Sequence, residues 1–229
     1  LGMRRDTKRL PITEMGCAAG ATALARARED LKGFPDQRIL VLSIELATLT
    51  FQHHNHSMDN IVSAAIFGDG AAAAVLAGSA SNGAPRIADS QTVTLPRSSH
   101  LMGFDLGEKG FEIVLSKEIP SAVRAKLRPM VEDFLGRSGL NFEGVDHLLF
   151  HPGGKRILEV YREELGVSDE ALRYSQKVLR ECGNVSSATV LTILEEILLS
   201  DEPRRGDTGL MLAMGPGFSI EKLLFRWEG

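Results

Sequence analysis

The sequence predicts an α/β protein built on a parallel or mixed sheet covered on both faces. Two observations carry this. Short apolar runs of strand length alternate along the chain with longer stretches whose apolar residues recur three and four apart. Of the 229 residues, 43% are hydrophobic, enough to bury a full core, and 24% are charged, an ordinary solvated surface.

From the N-terminus, AAGATALARAREDLK (18–32) is a predicted helix, because alanine dominates it and its other apolar positions share one face. RILVLSIEL (38–46) and GAAAAVLAG (70–78) follow as buried strands. GSASNGAPR (78–86) clusters Gly, Ser, Asn and Pro without periodicity, and marks a boundary between two halves, 1–78 and 79–229. Beyond it, IPSAVRAKLRPMVEDFLGRSG (119–139), KRILEVYREELG (155–166) and SSATVLTILEEILLS (186–200) carry helical periodicity. DHLLFHP (146–152), TGLMLAMGP (208–216) and SIEKLLFRW (219–227) read as strands.

Lys and Arg number 26 against 30 Asp and Glu, a formal net charge of -4, so no broad basic field draws nucleic acid or an anionic membrane. No apolar run approaches the roughly 18 residues of a membrane span, and LGMRRDTKRLP lacks the apolar centre of a signal peptide. The expected location is cytoplasmic. The two cysteines, Cys17 and Cys182, are too few for a disulfide framework, which leaves a thiol available for chemistry.

Cys17 stands at the joint between an extended approach and the first predicted helix. Backbone N–H groups and the positive end of the helix dipole favour thiolate there, and thiolate is the nucleophile. Gly16, Ala18, Ala19 and Gly20 are expected to leave room for a bulky substrate, and an activated Cys17 to alkylate ahead of Cys182. In LLFHPGGKRI (148–157) a strand ends in His151 before a Pro-Gly-Gly turn, which suits a general base or hydrogen-bond donor in open surroundings. In ECGNVSSATVL (181–191), Asn184 taken alone reads as a helix N-cap, with Ser186 and Ser187 as rivals.

Together, GCAAG, HPGG and GNVSSA in this order resemble the Cys–His–Asn set of the thiolase superfamily, and in particular the chalcone/stilbene synthase family of type III polyketide synthases. IFGDGAAAAVLAG (66–78) and GPGFSIE (215–221) resemble two further motifs of that family. The resemblance implies a thiolase-like fold of α-β-α-β-α layers with an incomplete first half. Residues 1–78 would be the remainder of the N-terminal half with the nucleophile, and 79–229 the C-terminal half with His and Asn. It implies Cys17 as the nucleophile that takes an acyl group from an acyl-CoA. His151 and Asn184 would be donors to the enolate formed when malonyl-CoA loses CO₂, with His151 also pairing with the Cys17 sulfur to lower its pKa. The substrates are CoA thioesters, with no cofactor and no metal.

The same resemblance places Phe67 at a gatekeeper position and Ile113 where plant enzymes carry a second gatekeeper phenylalanine. Ala47 falls where plant chalcone synthases have threonine, while Thr50 is retained. Ser186, Gly215, Pro216 and Gly217 complete the implied substrate-lining set. A smaller, more apolar wall points to an aliphatic starter and an alkylpyrone or alkylresorcinol product.

His53, His54 and His56 lie within FQHHNHSMD (51–59), but neighbouring histidines point in different directions and no further ligand completes a metal set. FGDGAAA leads into a strand rather than a helix, so it reads as a packing turn and not a phosphate loop. Cys182 is expected to be a small packed side chain, and the charges of RARED and YREELG to sit on outer helix faces.

A 3-oxoacyl-acyl-carrier-protein synthase III shares the Cys–His–Asn logic, but its histidine motif reads more like HQAN than HPGG. Hydroxymethylglutaryl-CoA synthase fits GNVSSA and GPG less well. A non-enzymatic binding or dimerisation module of thiolase fold is the third reading. Family members carry roughly another third of their length ahead of GCAAG, including basic residues that grip CoA. The chain is therefore expected to be a piece, to form a homodimer or bind the missing segment, and not to turn over alone.

Overall fold

Four strands make the larger sheet of the computed structural model, which describes residues 2–79, 83–108 and 110–228. The elements run α1 (Ala19–Gly33), β1 (Arg38–Glu45), α2 (Met58–Ile66), β2 (Gly70–Ala77), β3 (Arg86–Thr94), β4 (Met102–Gly107) and β5 (Gly110–Leu115). They continue with α3 (Ile119–Arg124), α4 (Leu127–Gly136), β6 (His147–Phe150), α5 (Lys155–Leu165), α6 (Arg173–Cys182), α7 (Ala188–Leu199), β7 (Thr208–Gly215) and β8 (Ser219–Arg226). The larger sheet has the order β3-β8-β7-β6 and is mixed, with β6 and β7 parallel and the other pairs antiparallel. β1 pairs antiparallel with β2, and β4 with β5, each as a separate two-stranded sheet.

Alternation along the strands assigns the layers. Leu210, Leu212 and Met214 of β7 face a core built with α3, α4 and α5, whereas Met211 and Ala213 face α1 and α7. β8 divides the same way even at charged residues. Lys222 turns toward α4, where its Nζ donates to the Met130 carbonyl at 3.0 Å, and Glu221 accepts from Thr92 Oγ1 at 2.9 Å. On the far side of α1 and α7, Val41, Ile39, Ala72, Ala74 and Leu76 of the β1–β2 sheet close the second core. α7 buries most of its circumference because it lies between two sheets: Val190, Leu191, Ile193, Leu194 and Ile197 are all buried, and the charged Glu195 and Glu196 fall toward its C-terminal end. The described residues thus stack as α-β-α-β. The outer face of the β1–β2 sheet carries exposed Leu42, Ile44 and Val75.

Every predicted strand forms, but several elements differ from expectation. The single helix expected over 119–139 is two, α3 and α4. Pro129 explains the break: its ring excludes the carbonyl four residues back from a continuous helix, but its missing N–H is harmless in the first turn of α4. β3 lacks apolar alternation because it is an edge strand, bulged between Ile87 and Asp89. α2 has a sequence signal that the apolar pattern hides. Ser57 is its N-cap, accepting from the Asn60 N–H, and Asp59 sits in the first turn. Arg28 is not on an outer face: it reaches β3, donating to the Ile87 and Ala88 carbonyls. Of the expected boundary at 78–86, residues 80–82 lie outside the described residues.

The two sheets are held at their spacing by one close crossing. At Gly20 of α1 a Cβ would stand 2.1 Å from the Ser187 carbonyl oxygen, so the two helices meet backbone to backbone. Gly20→Ala is expected to lower stability by about 1–3 kcal/mol through overpacking. Gly33→Ala, at a site of the same helix where a Cβ meets nothing within 4 Å, should be neutral or stabilising. Urea unfolding midpoints of the two variants check the contrast.

Candidate active site

Cys17 lies on a 3-10 turn, Gly16–Ala18, that runs directly into α1. The helix start is where the sequence placed it, but no strand leads into it, since Glu14 holds a φ of 61° and Met15 is in the helical region, and the space around the thiol is not open. A Cβ on Gly16 would come 2.7 Å from Pro216 Cδ, and one on Gly215 would come 2.1 Å from the Met15 carbonyl oxygen. Gly16 and Gly20 are small so that the 215–217 turn and the start of α7 can press against the Cys17 turn. Room for substrate is not their role. Gly215 is likewise buried, packed against the nucleophile turn.

Asn184 reaches the thiol. Cys17 Sγ donates to Asn184 Oδ1 at 3.8 Å, the same oxygen accepts from the Ser186 N–H at 2.9 Å, and Asn184 Nδ2 donates to the Gly153 carbonyl at 2.9 Å. The amide carries two N–H hydrogens, so the bond to Gly153 leaves one for a ligand. Ser186 holds a φ of 49°, strained for a residue with a side chain, to make this turn. Asn184 is not the N-cap of α7: Ser187 is, and it makes no side-chain bond to its own helix.

His151 continues β6 by one hydrogen bond, its N–H donating to the Leu212 carbonyl at 2.8 Å. Two side chains that local sequence did not single out hold the strand end. Tyr161 Oη donates to the His151 carbonyl at 2.9 Å, and Ser175 Oγ to the Phe150 carbonyl at 2.7 Å. The imidazole is 2% exposed and neither ring nitrogen has a hydrogen-bond partner among the described residues. Its surroundings are enclosed, not open. Through Gly153, the loop after His151 is tied to Asn184, so the three residues converge from the start of α1, the end of β6 and the start of α7.

Burial is the largest influence on both titratable groups. Desolvation pushes the Cys17 thiol up to about 11, with Ser186 and Asn184 working against it and the Glu45 charge adding to it. Desolvation likewise pulls the His151 imidazole down to about 4. Neither imidazole nitrogen has a hydrogen-bond partner among the described residues, so the expected hydrogen bond between His151 and the Cys17 sulfur is not made here, and burial opposes the charged form of both groups. Cys182 is exposed at the end of α6 rather than packed.

The implied pocket residues divide. Phe67 ends α2, and its backbone bridges to that of Asn184, with Gly68 N–H donating to the Asn184 carbonyl at 3.1 Å. Gly68 and Gly70 allow this approach: Cβ atoms there would meet the Cys182 carbonyl oxygen at 2.8 Å and Val185 at 2.7 Å, as a packing turn requires. Ala47 and Thr50 occupy a 3-10 turn against which β5, with half-buried Ile113, packs. Thr50 is exposed and its hydroxyl donates to the Ala47 carbonyl, so it is committed to its own turn. His53, His54 and His56 lie between this turn and α2, with His53 edge-on to Phe51 at 4.8 Å.

The chain matches the family models for the chalcone and stilbene synthases, the N-terminal domain over residues 1–80 and the C-terminal domain over residues 86–227. It is 41% identical over 229 residues to a putative chalcone synthase of Bacillus subtilis (strain 168), covering 97% of this chain and 63% of that protein. It is 40% identical over 231 residues to a 1,3,6,8-tetrahydroxynaphthalene synthase of Streptomyces peucetius subsp. caesius, covering 99% of this chain and 61% of that one. The crystal structure of the 1,3,6,8-tetrahydroxynaphthalene synthase of Streptomyces coelicolor A3(2), a type III polyketide synthase, superposes with a TM-score of 0.95 at 29% identity. That match covers 100% of this chain and 65% of the other. The chain thus spans less than two thirds of the length of these relatives.

Two measurements follow from the protonation states. Iodoacetamide at pH 8 should label exposed Cys182 well ahead of Cys17, read by peptide mass, the reverse of the order expected from an activated thiol. Stability should also fall with acid. Above pH 6.5 the folded and unfolded imidazoles are both neutral, but below it the unfolded chain takes up a proton that folded His151 refuses until about pH 4. The loss across that window is expected to reach roughly 3 kcal/mol. Urea midpoints at pH 7 and pH 4.5 should differ in the parent and converge in His151→Asn.

Proposed function

The chain belongs to the chalcone and stilbene synthase family, and from that premise we propose that Cys17, His151 and Asn184 serve the decarboxylative condensation of malonyl-CoA with an acyl-CoA starter. The observation that carries this reading is the contact of the Cys17 thiol with Asn184 beside a buried imidazole whose two nitrogens are uncommitted. Such a group has hydrogen-bonding capacity held ready for a ligand.

Cys17 attacks the acyl carbonyl, the C–S bond to CoA breaks, and the departing CoA thiolate takes up the proton that Cys17 loses. His151 accepts that proton in passing, so a standing thiolate is not required. Malonyl-CoA then loses CO₂, and the electron pair of the broken C–C bond becomes an enolate. The oxygen of that enolate accepts from the neutral His151 N–H and the second Asn184 N–H. A neutral imidazole suits this role: it donates one hydrogen bond without protonating the carbanion. The carbanion attacks the Cys17 thioester and releases the sulfur. The Cys17 thiolate so released takes a proton from solvent or attacks the next acyl thioester.

Half-buried Ile113 on β5, packed beside the turn that carries Ala47, supports an aliphatic starter and an alkylpyrone or alkylresorcinol product. The exposed apolar face of the β1–β2 sheet supports self-association as a homodimer.

Acyl transfer can be tested without a CoA-binding surface by using N-acetylcysteamine thioesters. An octanoyl adduct on Cys17 is expected by intact mass, absent in Cys17→Ala, forming faster than a 4-coumaroyl adduct, with the preference narrowed in Ile113→Phe. In the full-length protein, malonyl-CoA decarboxylation should drop about 10²- to 10³-fold in Asn184→Ala through loss of one oxyanion donor. Acylation elsewhere than Cys17 would remove it as the nucleophile, and undiminished decarboxylation would remove Asn184 from the site.

A further inference from the structure

Beneath the site lies a polar cluster that the proposed reaction does not use. Glu45 closes β1, and its Oε1 accepts from both the backbone N–H of Ser187, at 3.2 Å, and the Ser187 hydroxyl. The Ser187 hydroxyl also lies 2.6 Å from Ser43 Oγ, two residues back on the same face of β1. Ser43 and Ser187 are buried at 6% and 4% exposure. A carboxylate spent on an N–H of a helix's first turn satisfies one of its orphan donors and opposes the helix dipole favourably. Here the carboxylate comes from a different element, since Ser187 makes no cap of its own.

Ser187 is also the residue whose carbonyl presses on Gly20, and it follows directly on the Asn184–Ser186 turn that contacts the thiol. We propose that Glu45 is a positioning residue: by clamping Ser187 to the end of β1, it fixes the strained Asn184–Ser187 segment against Cys17. The inference rests on the acyl-transfer reading only for the purpose of the thiol.

The same carboxylate lies near enough to Cys17 for its charge to oppose the thiolate, so the clamp has an electrostatic signature that a purely structural tie lacks. Among the described residues, the charge that acts on the thiol is that of Glu45, from β1. Asp69 is engaged by the N–H and hydroxyl of Thr48.

The two consequences separate in two variants of the 229-residue protein, made with Cys182→Ser so that Cys17 is the one thiol read. Glu45→Gln keeps an acceptor oxygen for Ser187 and removes the charge. Glu45→Ala removes both. Hydrogen exchange of the peptide spanning the first turn of α7 should lose protection by about tenfold or more in Glu45→Ala and keep it in Glu45→Gln. Alkylation of Cys17 at pH 9 should show the charge: in Glu45→Gln the rate with anionic iodoacetate should rise several-fold more than the rate with neutral iodoacetamide, because only the anion senses a removed negative charge directly. General loosening would raise both rates alike. Parent-like protection of α7 in Glu45→Ala overturns the clamp, and an unchanged iodoacetate-to-iodoacetamide ratio in Glu45→Gln overturns the placement of the carboxylate against the thiol. Neither readout depends on whether an acyl adduct forms.

Discussion

Three backbone segments come together at van der Waals contact or closer, and the rest of the molecule is arranged around that convergence. The Met15–Ala18 turn, the first turn of α7 and the 215–217 turn approach so tightly that side chains at Gly16, Gly20 and Gly215 would overlap their neighbours. Glycine at these positions is a demand of packing between elements far apart in sequence. The central helices α1 and α7 can lie between two sheets only if their starts cross at backbone distance. That same crossing brings Asn184 to Cys17.

The cost of this closeness is electrostatic. A site assembled from three tight backbone crossings excludes water, and exclusion of water raises the thiol and lowers the imidazole. The hydrogen bonds that the thiol makes with Ser186 and Asn184 act in the opposite sense and are outweighed. A dry site of neutral groups is poorly suited to holding a free thiolate but well suited to a reaction in which charge develops on a bound substrate, because fixed donors gain strength where solvent does not compete.

Support for the site is distributed over both cores. His151 is held by Tyr161 of α5 and by the strand neighbour Ser175 fixes, both on the α3–α5 side or beside it, while Cys17 and Asn184 belong to the layer between the sheets. Glu45 ties that middle layer to β1. The catalytic candidates therefore report on the registry of the sheets with respect to one another. A shift of either core would move the imidazole relative to the thiol.

Periodicity and turn chemistry determined much by themselves. The five predicted strands and three of the four predicted helices stand where the apolar patterns put them, because each pattern is read locally against a single buried face or a doubly buried strand. The positions of Cys17 at a helix start, His151 at a strand end and Asn184 before a helix were legible for the same reason, whereas the extended approach expected before Cys17 does not form a strand. What local pattern could not decide was what lies opposite. β3 is an edge strand with few apolar residues, the β4–β5 hairpin pairs only with itself, and Pro129 splits a pattern that otherwise runs through. At the site, local reading made small residues into open space and a helix start into an activated thiol. The structure fills that space with Pro216 and Ser187 and leaves the thiol protonated. Burial is a sum over neighbours contributed by the whole chain, so the identity of the reactive groups belonged to the sequence, and their charge state was decided only by the packing around them.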